Sequence, residues 1–279
     1  MNKIYIHQIY YDQNSRNQVD VNFIPLDNRD GPADWFEFYP IVNFLKNTDL
    51  IEDGWYGFLS PKFSLKTGIT SNQLISTIAQ YSSHANVALF SPAWDQLAYF
   101  KNPFEQGEFC HPGLIGMSQE FLNQSSCQID LTKLVTHSST SVFSNFIIAK
   151  PEYWRKWLLI AEEFFEFAEG NVLGDTVYLD AINKKGPMKT FIQERLSSIV
   201  LSQNNFATLT MDFGQFATIH DQLFDNNPRT RKILQTCDLL KEKFATSGDE
   251  SYLQMYFKIR RDIQLKRPHP NERFFIDLF

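Results

Sequence analysis

Two hydrophobic periods alternate along the chain. Residues 4–10 alternate apolar and polar, with β-branched and aromatic side chains, and predict a first strand. Residues 23–28 predict a short extended segment ending in a polar loop through Gly31 and Pro32. Trp35, Phe38, Val42 and Leu45 then recur at helical spacing behind Asp34 and Glu37, which are spaced as a capping box; Pro40 should bend or shorten this helix. Residues 55–59 are a continuous apolar run, a buried strand that stops at Ser60-Pro61 and presents Lys62. The spacing next predicts a helix over 70–81 and a second buried strand over 86–90, again ended by Ser-Pro.

Residues 94–111 hold no sustained period and read as a long loop, a feature that is usually functional in a compact domain. A strand is expected over 142–149. Pro151 opens a strong helix with Trp154, Trp157, Leu158, Ala161, Phe164, Phe165 and Ala168 on its core face. A helix over 188–201, a strand over 206–211 and a mostly helical stretch over 230–263 complete the pattern. Strands alternating with helices predict an α/β domain with a largely parallel sheet.

Composition narrows the picture. With 279 residues, 43% apolar and 26 Phe, the chain can fill one large α/β domain or a domain with a small helical appendage. A net charge of −6 argues against a general nucleic-acid binder. The charge is uneven: residues 229–279 hold 11 Lys/Arg against 7 Asp/Glu, and the rest 15 against 25. The basic tail reads either as a solvated helical face or as a contact with an anionic membrane surface. Cys110, Cys127 and Cys237 have no metal-ligand spacing, and their odd number favours a reducing compartment. The start reads as a strand rather than a signal peptide, and no stretch approaches 18 uninterrupted apolar residues.

Phosphate loops, dinucleotide fingerprints, zinc-protease helices and nucleophile elbows are all missing. No carboxylate doublet ends a strand: Asp95 stands alone, and Asp27 is followed by Asn28. Polar groups cluster in two places instead. Residues 102–113 combine Glu105, Glu108 and His111 with Gly107 and Gly113, either as an acid/base site or as a structural loop. Glu194-Arg195 interrupts an apolar helix, either as an internal ion pair or as a carboxylate at the base of a pocket. The remaining histidines share no spacing, so no metal cluster is expected.

Four landmarks carry a resemblance. They are Asp34-Trp-Phe-Glu37 followed by residues 56–63 up to Lys62; Glu105-Gln106 with His111; Asn145-Phe-Ile-Ile-Ala-Lys150 running into Tyr153-Trp154; and Phe191 to Leu196 with its Glu194-Arg195-Leu196 core. In this order the chain resembles bacterial surface-polysaccharide glycosyltransferases of the A-type fold, galactofuranosyl transferases among them. The resemblance spans about residues 34–200 and departs in having Pro61-Lys62 where the family has paired basic residues. It implies a Rossmann-like transferase domain over 1–215 with a mostly parallel central sheet, and a helical extension over 216–279 packed on it. A nucleotide-sugar donor would lie against Tyr10, Tyr11, Asp12, Asp27 and Asn28 for base and ribose and Lys62 at the diphosphate, with Asn145 and Arg195 also among the donor-binding residues. Asp95, Glu108, His111 and Glu194 are the candidate general bases. Lys62 would neutralise the leaving group without a metal, with Mn²⁺ or Mg²⁺ as the open alternative. The acceptor implied is a glycan or lipid-linked glycan, and the location cytoplasmic, with the basic tail touching the inner membrane. Two rival readings stand beside this one. They are a non-catalytic carbohydrate-binding or scaffold protein, and a hydrolase or phosphotransferase pairing Glu105 with Glu108.

Overall fold

Strand β1 (Ile4–Tyr10) is flanked by β2 (Ile24–Asp27) and β3 (Trp55–Leu59), both parallel to it. A computed structural model describes residues 3–91, 93–142, 144–170, 177–179, 185–211, 223–224 and 227–263. Beyond β3, strand β5 (Ile147–Ala149) runs antiparallel between β3 and β4 (Val87–Leu89), and β8 (Thr208–Thr210) lies parallel to β4. The main sheet order is therefore β2-β1-β3-β5-β4-β8, with β5 alone reversed. A separate antiparallel ribbon joins β6 (Val177–Leu179) to β7 (Lys185–Pro187). The protein is α/β with a mixed, mostly parallel sheet, as the alternation of periods predicts.

Both faces of this sheet are covered, which is why β3 reads as an unbroken apolar run. Alternation delivers Tyr56 and Phe58 to one face and Trp55 and Leu59 to the other. The first face packs on α2 (Phe38–Asn47) and α8 (Pro151–Gly170), where Phe58 meets Trp154 edge-on at 4.9 Å. Full burial of a ring such as Phe58 stabilises by about 1.5–3 kcal/mol. The second face packs on α3 (Phe63–Thr67) and α4 (Ser71–Tyr81), the latter opened by a Thr70/Gln73 capping box. Gly57 lets the reversed strand approach: a Cβ there would stand 2.7 Å from Ile148 Cγ1.

After β1 the chain forms a short helix, α1 (Gln13–Asn17), capped by Asp12 and Ser15. Several expectations are corrected. The Asp34/Glu37 capping box does not form: α2 begins at Phe38, and Glu37 makes no side-chain cap bond. Pro40 then falls in the first turn, where its missing N–H has no partner to lose, so the helix is shortened rather than bent. The long loop over 94–111 is two helices, α5 (Trp94–Tyr99) and α6 (Pro103–Cys110), followed by α7 (Leu114–Gln124). The single helix over 188–201 is broken at Glu194-Arg195 into α9 (Met188–Gln193) and α10 (Leu196–Gln203).

The last described stretch is a hairpin of α11 (Pro228–Ser247) and α12 (Glu250–Arg260). It is fastened by buried polar groups. Lys241 donates to the carbonyls of Leu97 and Phe100 at 2.6 and 2.7 Å, and Tyr256 to that of Tyr99 at 2.5 Å. Asp238 accepts from the backbone and hydroxyl of Ser138. The expected division at residues 215 and 216, and residues 264–279 of the basic tail, lie outside the described residues.

Candidate functional site

In an open parallel sheet a crevice forms outside the carboxyl ends of the strands, where successive connections leave in opposite directions. The chain passes from β1 to β2 on one side and then to β3 on the other. The switch point, where such a crevice is expected, therefore lies between the ends of β1 and β3, which are followed by Tyr11 and Asp12 and by residues 60–62.

The turn before α2 brings Glu37 to this rim and is firmly held. Trp35 is buried and donates to Glu169 at 2.9 Å, while Lys189 lies 4.2 Å above its ring and pairs with Asp34 at 2.5 Å and Glu169 at 3.2 Å. Asn28 reaches across from the end of β2 to donate to Phe36 O at 3.2 Å. Phe36 itself is strained, with φ +43°, and its ring is 41% exposed.

Glu194 occupies the break between α9 and α10 and is half-buried. Burial pushes its carboxyl up to about 7, with Glu37 adding to the rise and Arg195 and Lys66 opposing it. Tyr11 is held protonated, well above the usual phenol range, by burial and then by Glu37, though no hydrogen bond of normal geometry joins the two. Lys66 stands on α3 with its ammonium 5.8 Å from the Phe146 ring, at the start of β5. Two carboxylates, an ammonium and a phenol thus act on one another at the carboxyl ends of β1 and β3. A carboxyl poised near 7 can take or give a proton at neutral pH.

Further along the rim, the neighbouring Asp27 carboxylate raises the Tyr10 phenol, and the guanidiniums of Arg16 and Arg29 lie 5.4 and 5.6 Å from its ring. Arg29 holds the Asp27 carboxyl well below the usual range through an ion pair at 2.6 Å. Asp12 is lowered by the backbone and hydroxyl of Ser15 that it caps. Lys62 is exposed at the N-cap of α3, one turn before Lys66. Asn145 is half-buried just before β5.

The other candidate residues are engaged elsewhere. Arg195 is buried and donates to Pro103 O at 2.7 Å, to Gln106 Oε1 at 2.5 Å and to Phe191 O. Gly107 admits this guanidinium, since a Cβ there would lie 2.7 Å from Nε. Asp95 is buried, accepts from Leu223 N–H at 3.0 Å, and is pushed up to about 6 by burial. Glu108 caps α7, accepting from Gly113 and Ile115 N–H at 2.8 Å each. Its supposed partner Glu105 is bound to Arg260, so the two do not form a carboxylate pair. His111 is buried and stacked on Phe191 at 3.5 Å.

Sequence reasoning passed over Glu37, Lys66, Arg16 and Arg29. One signal was available: Lys62 and Lys66 are four residues apart, and so share a helix face. Among the described residues no three His, Cys, Asp or Glu side chains gather as a metal site, and no helix is long and apolar enough to cross a membrane. The three cysteines are free thiols. No family model, no curated protein and no solved structure matches the chain.

Proposed function

We propose that the protein is a nucleotide-sugar-dependent glycosyltransferase acting on a glycan or lipid-linked glycan. The single observation that carries the reading is the Glu194 carboxyl, raised to about 7 at the mouth of β1 and β3 in the company of Lys66. The one-sided supply of cations supports it: Arg16, Arg29, Lys62 and Lys66 all follow β1, β2 or β3 at their carboxyl ends.

In this reaction the acceptor hydroxyl oxygen bonds to the anomeric carbon, and the bond from that carbon to the diphosphate oxygen breaks. The hydroxyl proton passes to Glu194, and the nucleoside diphosphate leaves with the electron pair. Lys66, backed by Lys62, stabilises the charge that develops on the leaving group, where fixed cations lower the barrier most. Asp27 offers a carboxylate for the ribose, while Tyr10, whose side chain is buried beside it, supports that carboxylate rather than offering its ring to the base. Chelation followed by Mn²⁺ or Mg²⁺ addition tests whether a divalent ion shares the work of Lys66. The basic C-terminal tail supplies the membrane contact in this proposal.

One observation favours a second reading. Glu37 and Glu194 act on each other across the crevice, and paired carboxylates are also the apparatus of glycoside hydrolysis. Product analysis with a panel of nucleotide sugars separates the two: transfer to a sugar acceptor supports the first, free sugar with no transfer the second. Failure to bind any UDP-, GDP-, CMP- or TDP-linked donor would reject the transferase.

A further inference from the structure

We propose that the groove between edge strand β2 and helix α2 binds a neutral glycan chain. The concavity holds about 470 Å³ and runs from the end of β2 along the length of α2. Tyr39, Asn43 and Asn47 line it at intervals of four residues, so they form a ladder with one polar group per helical turn. Facing them are Asp30 and the end of β2, the terminal strand of its sheet.

Much of the hydrogen-bonding capacity here is unspent. Asn47 Nδ2 donates to the backbone and side-chain carbonyls of Asn43, which leaves Asn47 Oδ1 and the Asn43 amide N–H groups pointing to other partners. The Tyr39 hydroxyl and the Asp30 carboxylate make no side-chain hydrogen bond to any described residue. Leu26, Pro40 and Phe44 supply apolar surface between these groups. No Lys, Arg or His lines the groove, and of its two carboxylates Asp27 is neutralised by Arg29 while Asp30 has no ion pair among the described residues, so a phosphate or uronate finds no cation in the lining and meets the Asp30 charge. A neutral sugar ring pairs an apolar C–H face with a rim of hydroxyls, and successive rings repeat that pattern as the ladder does. The groove begins at Asn28, which is bonded to Phe36 O, and Phe36 precedes Glu37 in the crevice. A bound chain would therefore lead to the crevice rim. The inference stands on the groove's own chemistry, whatever reaction the crevice performs.

The test is a titration of the ¹⁵N-labelled full chain with neutral oligosaccharides of two to six rings (gluco-, galacto- and N-acetylglucosamine series), with UMP and oligogalacturonate as charged arms. The readout is the side-chain amide resonances of Asn43 and Asn47 in the parent, and the backbone amides of Asn28, Gly31, Tyr39 and Phe44 in both parent and variant. Saturable shifts that tighten with chain length are expected, and binding at least tenfold weaker in the Asn43→Ala/Asn47→Ala double variant. That variant should melt no lower than the parent, since alanine favours helix. The proposal is overturned if no neutral oligosaccharide shifts these amides, if UMP or oligogalacturonate does so instead, or if the double variant binds as the parent does.

Discussion

Arg260, in the last turn of α12, closes a buried ion pair on Glu105 of α6, with its Nη1 at 2.9 and 3.0 Å from the two carboxylate oxygens. Glu105 also accepts the Lys101 N–H at 2.5 Å, so one carboxylate ties the C-terminal hairpin to the start of α6. Removing either partner leaves an uncompensated buried charge. Arg260→Ala should destabilise the fold by about 3–5 kcal/mol, read from urea melts. A Glu105→Leu/Arg260→Met double variant should recover much of that loss, because an apolar pair strands no charge.

The strain at Phe36 makes a second prediction. A buried phenylalanine such as Phe38 should lose about 3–5 kcal/mol when truncated to alanine. Phe36→Gly should change stability by no more than about 1 kcal/mol, because glycine adopts the +43° φ without penalty and the ring is partly exposed. Thermal melts of the two variants decide this.

Glu194 and Asp95 each contribute a pH-dependent share of stability. Both carboxyls bind their protons more tightly in the folded chain: Glu194 rises from 4.5 to about 7 and Asp95 from 3.8 to about 6. Their contribution to stability is therefore full below about pH 4 and is lost as pH climbs toward 7. Glu194→Gln removes one of these titrations. It should flatten the profile and be more stable than the parent at pH 8, by on the order of 1–3 kcal/mol. Denaturant midpoints between pH 4 and 8 provide the check, and a parallel profile for the variant would count against a raised carboxyl.

The two lysines of α3 should differ. Lys66 acts on Glu194 within the crevice, whereas Lys62 is exposed at the helix start. Lys66→Met should lower transfer by about 100-fold or more, the scale seen when one fixed donor to a developing anion is lost. Lys62→Met should lose less than about tenfold. Initial rates at saturating donor compare them, and equal losses would return the leading role to Lys62.

The limits of β1 and β3 and the start of α8 at Pro151 were legible in the sequence because their cores are continuous apolar or aromatic patterns. Helices α5 and α6 were not. Asp95, Gln96, Asn102, Glu105 and Gln106 are buried within or beside them and break the amphipathic period. Their partners, among them Arg260, Arg195 and Leu223, come from far along the chain, and no local pattern announces such pairings. The site was legible only in part for the same reason. Tyr11 and Glu194 stand out in sequence, but Glu37 reads as a helix cap and Lys66 as a surface lysine until the sheet order brings them to one rim.

The central claim is that Glu194 serves as the base of a nucleotide-sugar transferase, and the pH dependence of transfer tests it most directly. With whichever donor of the UDP-, GDP-, CMP- and TDP-sugar panel is consumed, kcat/KM should rise with unit slope up to about pH 7 and then level. Glu194→Gln should bind that donor normally and lose about 10²–10⁴-fold in kcat, with the pH step gone. A panel in which no donor is consumed, or a Glu194→Gln protein that keeps its rate and its pH step, would contradict the account.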